Sequence, residues 1–232
     1  MTPQLSATTL YTSADLKSRP DLTRAIISVA NIAFRRPKFF DPDRWYLPPD
    51  PRCSTRFPDV DEYTSMIGPL GSIAVIFDQS PEAQKDIGDG RLAEGRVVAG
   101  AAILPWPTQW ARENVGVGDG EEIGWEVKAV FVDERYLKTG LAGRLVQFLE
   151  NHLVERMRAD LTRQSKDVGG NGNVKESGIL TLWIIAAECL NGVYWGKRGF
   201  REIRRVTQGE GVWGCKMSFE LLVLRKDAEF DV

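Results

Sequence analysis

One stretch constrains this chain more than any other: Ile123 to Leu153, IGWEVKAVFVDERYLKTGLAGRLVQFLENHL. Trp125, Val127, Ala129, Val130, Phe131 and Val132 supply an apolar, β-prone run. The polar segment Asp133 to Thr139 breaks that pattern. From Leu141 the apolar positions Leu141, Leu145, Phe148, Leu149 and Leu153 recur at spacings of three and four, one face of a helix. Gly140 and Gly143 stand at the junction. A glycine turn that opens a helix leaves backbone N–H groups unpaired and aimed outward, which suits a phosphate. An ordinary strand–helix connection with two packing glycines has the same spacing, so the rest of the chain decides between them.

Composition removes several classes of function. A formal net charge of −2 over 232 residues, with no long basic run, argues against a nucleic-acid partner. No apolar run reaches the ~18 residues of a membrane span, and the first twenty residues lack the basic start and apolar core of a secretory signal. Cys53, Cys189 and Cys215 are scattered and form no CxxC pair, so neither a disulfide framework nor a metal site is expected. A reducing, cytoplasmic location follows as an expectation. His152 is the single histidine and falls about three turns into the central helix, where a partly exposed surface role is expected rather than a nucleophile relay.

Taken in order, the chain predicts a strand at Thr8–Thr12, a linker ending in Pro20, and a helix from Leu22 to Arg36 capped by Asp21 and closed by Pro37. A loop rich in proline and aromatics follows, read either as a packed irregular segment or as a pocket wall. A short helix is expected at Asp59–Ile67, and strands at Gly71–Phe77 and Val97–Leu104. After the central stretch come a strand at Ile179–Ala186, a short helix at Cys189–Lys197, and strands at Arg201–Val206 and Cys215–Leu224. The expected fold class is α/β (α+β): a mixed, mostly antiparallel sheet with helices on both faces. A single domain over 1–232 is expected, with irregular insertions near 37–58, 79–96, 105–122 and 163–178.

This order resembles the GNAT superfamily of acetyl-CoA-dependent N-acetyltransferases. The family's pyrophosphate motif is Gln or Arg, two residues, Gly, one residue, then Gly or Ala. Here the segment is Leu137-Lys138-Thr139-Gly140-Leu141-Ala142, followed by Gly143-Arg144. Gly140 and Ala142 match; Leu137 departs. A second family motif, Asn leading through an aromatic helix to Gly-Phe, resembles Asn191 through Tyr194-Trp195 to Gly199-Phe200. The likeness covers roughly Gly71 to Leu224.

The resemblance implies acetyl-CoA as cosubstrate, an amine acceptor (small molecule or peptide), no metal and no membrane; a homodimer is compatible with it. It implies that the N–H groups of Thr139, Gly140, Leu141, Ala142, Gly143 and Arg144 hold the diphosphate, with Lys138 and Arg144 adding charge. It also implies that the backbone of Val130, Phe131 and Val132 pairs with pantetheine. Glu126, fourteen residues before Gly140, resembles the base of the histone-acetylating branch; its other reading is a pair with Lys128 at a strand edge. Where many members have an acid tyrosine, five residues before the Gly-Phe phenylalanine, Trp195 stands, with Tyr194 one residue earlier. An indole N–H can donate a hydrogen bond but is no acid near neutral pH. Asn191 either bonds the pantetheine or caps the helix it precedes. Asp41, Asp43, Asp59 and Asp61 either attract a cationic amine or are simply solvated. Two alternatives stand beside transfer: a CoA-binding module without catalysis, suggested by Leu137 and Trp195, and a nucleotide-phosphate site on a different α/β fold with a parallel sheet.

Overall fold

The sheet holds β1 (Thr9–Thr12), β2 (Ser72–Asp78), β3 (Arg96–Trp106), β4 (Gly124–Val132), β5 (Ser177–Ala187), β6 (Arg201–Gln208) and β7 (Phe219–Asp231), in the order β1-β2-β3-β4-β5-β7-β6. The computed structural model describes residues 3–48, 50, 55–85, 92–117, 122–167 and 177–231. Every neighbouring pair is antiparallel except β4 and β5. The sheet is therefore mixed and mostly antiparallel, which sets aside the parallel sheet of a different α/β nucleotide fold. No helix among the described residues is long and apolar enough to cross a membrane.

Helices α1 (Ser13–Ser18), α2 (Pro20–Arg35) and α3 (Val60–Ile67) cover one face of the N-terminal half; α6 (Leu141–Asp167) covers the other. The remaining helices are α4 (Pro81–Lys85), α5 (Gln109–Asn114) and α7 (Val193–Gly196). Strand alternation divides the core. Ala74 and Ile76 of β2 pack on the α6 side, Ile73, Val75 and Phe77 on the α2 side. In β7, Leu222 and Leu224 face α6, while Leu221 and Val223 join Trp45, Trp106 and Trp183 in a third cluster. Burial on both faces explains why these strands read as near-continuous apolar runs.

Several boundaries differ from the sequence expectation. The segment before Pro20 is not a linker: Thr12 and Asp15 form a capping box that starts α1. Asp21 does not cap α2, because Pro20 already occupies its first turn and Arg19 is the flanking residue. Asp59 does cap α3, accepting from Glu62 N–H at 2.8 Å. The last strand begins at Phe219, leaving Met217 exposed, and runs on to Asp231, where it pairs Ser177. Helix α6 continues through Arg163–Asp167, part of the expected loop at 163–178. Residues 168–176 of that loop, and Cys53, lie outside the described residues.

The feature that makes room for a site is a bulge in β4. Pairing with β3 slips between Gly100 and Ala102, so that Ala101 faces both Ala129 and Val130, and Ala129 has φ 51°. A bulge bends its strand. With β5, β4 keeps only the pairs Trp125–Leu182 and Glu126–Trp183; beyond them no ladder pair joins the two strands.

Candidate active site

A cavity of about 600 Å³ opens where β4 and β5 part, with Val127–Val130 on one wall and Ile184–Ala187 on the other. Glu126, the last β4 residue paired to β5, lies at its edge and is 2% exposed. Its Oε1 accepts from Lys128 Nζ at 3.0 Å, and its buried Oε2 has no partner among the described residues. The pairing with Lys128 is present, on a central strand rather than an edge, and one carboxylate oxygen is left over. A buried, half-satisfied carboxylate is costly unless something else bonds it.

Aromatic rings line the same cavity as this carboxylate. Trp110 of α5 stacks on Trp213 from the β6–β7 connection, centroids 6.1 Å apart at 23°. Lys128 Nζ lies 5.9 Å from the Trp110 ring, and the Arg56 guanidinium 5.4 Å from Trp213 and 4.5 Å from Phe34. Lys38 Nζ donates to the carbonyl of Trp213, which is itself held at φ 54°. Burial pushes the Arg56 guanidinium below its ordinary range, and the negative charge of Glu126 opposes that shift. Arg56 Nε is buried and has no hydrogen-bond partner among the described residues.

The turn before α6 is built from below. Tyr136 OH donates to Asp78 Oδ2 at 2.5 Å, while Asp78 Oδ1 accepts from Ser80 N–H at 2.8 Å and Gln4 N–H at 3.1 Å. Burial alone would raise the Asp78 carboxyl, but these bonds outweigh it and its net direction is down; burial, then Asp78, pushes the Tyr136 hydroxyl up. Thr139 Oγ1 donates to Tyr136 O at 2.6 Å. Lys138 and Gly140 both have positive φ, 63° and 87°, so the chain reverses in two steps before the helix. The first bond of the following helix runs from Arg144 N–H to Gly140 O at 3.0 Å, leaving the amides of the preceding turn without an intrahelical acceptor.

No protein-family model matches the sequence, and no curated protein matches it either. Solved structures do. A candidate acetyltransferase from Acinetobacter baylyi ADP1 superposes with TM-score 0.55 at 11% identity, over 98% of this chain and 94% of that one. FeeM, an N-acyl amino acid synthase from uncultured soil microbes, gives TM-score 0.53 at 11% identity, over 96% and 91%. An aminoglycoside 6'-N-acetyltransferase complexed with coenzyme A gives 0.50 at 11%, over 96% and 97%. The fold is that of the GNAT acyltransferases.

In GNAT terms, the structure gathers some of the sequence candidates and separates others. Glu126, Val130, Asn191 and Trp195 line the one cavity. Tyr194 does not; it faces a smaller cleft with Gly143, Glu150, Arg198 and Lys226. Asn191 does not cap α7: it lies inside a π-turn, Glu188–Gly192, and Gly192 precedes the helix with no side-chain cap. Phe131 points away into the α2-side core, and Val132 O already accepts from Arg36 at 3.3 Å. Leu141 side chain is buried in the core, which leaves its amide as the group at the helix mouth, alongside those of Ala142 and Gly143. Arg144 is a correction: its N–H is engaged by Gly140 and its guanidinium donates to Ser6 O at 2.9 Å, bracing the N-terminal segment. None of Asp41, Asp43, Asp59 and Asp61 lines the cavity; Asp41 pairs with Arg44, and Asp59 is a cap. The sequence reading missed Arg56, Lys38, Trp110 and Trp213 as a group. Their only shared signal is aromatic and basic residues in irregular segments, which carries no period.

Proposed function

We propose that the protein transfers an acetyl group from acetyl-CoA to an amine by direct attack in a ternary complex. The observation that carries this reading is a buried carboxylate whose second oxygen has no partner among the described residues, at the edge of a gap between two parted strands, with β4 leading on to a helix whose first amides have no intrahelical acceptor. Amides of Thr139–Gly143 and the helix dipole suit the diphosphate, with Lys138 beside them. The β4 backbone at Val130 suits the pantetheine arm, entering the gap lined by Ile184–Ala187. Coenzyme A bound to the similar aminoglycoside enzyme supports the choice of cosubstrate.

Glu126 is positioned to take the proton of the attacking amine, directly or through one water, as nitrogen bonds the thioester carbon. The tetrahedral adduct then expels CoA as thiolate. Trp195 can donate a hydrogen bond to that sulfur but supplies no proton, so solvent reprotonates it. Trp195 also favours a second reading, a CoA-binding module without turnover. Thiol release measured across amines, amino acids, aminoglycosides and peptide N-termini decides between them. Release with any class supports transfer; acetyl-CoA binding with no release from any of them supports the module.

A further inference from the structure

The cavity around Glu126 is not built for a simple cation. Its charged lining comprises four basic residues, Arg35, Lys38, Arg56 and Lys128, against Glu62 and Glu126. Lys128 is paired with Glu126 and Lys38 with the Trp213 carbonyl. Arg56 is different. Phe34, Phe57 and Trp213 surround its guanidinium at 4.5, 5.6 and 5.4 Å, and its buried Nε has no acceptor among the described residues. Rings hold a guanidinium through its faces, while its donors lie in the plane and remain to be satisfied. Glu126 is near enough to act on Arg56 electrostatically, yet among the described residues Glu126 Oε2 and Arg56 Nε have no hydrogen-bond partner, each other included.

One carboxylate oxygen and one guanidinium N–H, left without partners on two residues that line the same cavity, are complemented by one molecule that carries both charges. We infer that the acceptor is an amine bearing a carboxylate and an apolar side chain, an amino acid or the like, with its carboxylate held by Arg56. This deepens the acetyl-transfer reading and rests on it. The amine faces Glu126; the carboxylate meets a planar fork that matches it; the apolar part lies against Phe34, Trp110 and Trp213. Arg56 is then a specificity residue rather than a catalytic one.

The test is product binding, which needs no turnover. Calorimetry on the full chain compares N-acetylphenylalanine and N-acetylleucine with the corresponding amides lacking the carboxylate. A charge-assisted hydrogen bond to Arg56 predicts that the carboxylated member of each pair binds about ten- to a hundredfold tighter. In Arg56→Met the ratio falls to within about threefold, and Arg56→Lys, which keeps charge but not the fork, falls between. A ratio near one in the unmodified protein, no binding of either member, or a preference that survives Arg56→Met would overturn the inference. Acetyl-CoA affinity, measured on each variant, reports separately on the fold and on the transfer reading. Loss of acyl-CoA binding in the unmodified protein would defeat that reading, whereas its retention with no carboxylate preference would defeat only the inference.

Discussion

Replacing Glu126 by Gln removes one charge from the centre of the site while keeping the side chain's shape. Two consequences differ in size and in assay. The amide oxygen can still accept from Lys128, now 3.0 Å from Oε1, but the ammonium loses its counter-charge. Removing one partner of a fully buried pair costs about 3–5 kcal/mol; Lys128 is 16% exposed, and water reaching it lowers the expected loss to roughly 2 kcal/mol. For a chain of this length that is a fall in Tm of roughly 4–8 °C. The kinetic effect is larger: losing a general base lowers kcat by about 10²–10⁴-fold. Acetyl-CoA affinity should hold within about threefold, since the turn proposed to hold the diphosphate follows the far end of β4. Steady-state thiol release, calorimetry and a thermal melt separate the three quantities. A kcat within threefold of the parent, in a folded protein that still binds acetyl-CoA, would remove Glu126 from the base role.

Other perturbations have equally definite outcomes. Tyr194→Phe changes turnover by less than about threefold, because Tyr194 faces the smaller cleft; a hundredfold loss in a kinetic assay would restore it as the acid. Gly140→Ala forces a Cβ into φ 87° at a cost of about 1–2 kcal/mol, and the relaxed turn weakens acetyl-CoA binding several-fold by calorimetry. Asp78→Asn lowers stability by about 1–3 kcal/mol at neutral pH. The sign with pH is fixed by the downward direction of Asp78. Its stabilisation is complete above the ordinary carboxylate pKa near 3.9 and is lost as pH falls below it. Melts of the two proteins should therefore differ most at neutral pH and converge in acid.

The central strand, glycine turn and long helix were legible because periodicity of two and of 3.6 alternate there within thirty residues. So was the antiparallel character of the sheet. Helix α1 was readable in principle from Thr12 and Asp15, a capping box hidden by the proline that follows. The cap of α3 was open between Asp59 and Asp61, and Asp59 takes it; Asp21 does not cap α2, because Pro20 pre-empts its place. What the sequence could not disclose is the meeting of Arg56, Trp110, Trp213 and Glu126. These come from four separate segments, three of them short or aperiodic, and only the sheet order β4-β5-β7-β6 with the β4 bulge brings them together. The bulge itself leaves no signature, since Ala129 is an ordinary strand residue that tertiary packing forces to positive φ.

A crystal structure of the protein soaked with acetyl-CoA tests the central claim most directly. The diphosphate should lie within hydrogen-bond distance, about 2.7–3.2 Å, of amides in the Thr139–Gly143 turn, with the thioester inside the β4–β5 gap beside Glu126. Coenzyme density elsewhere on the molecule, or a gap closed by the side chains of Ile184–Ala187 with the turn amides facing water, would contradict it.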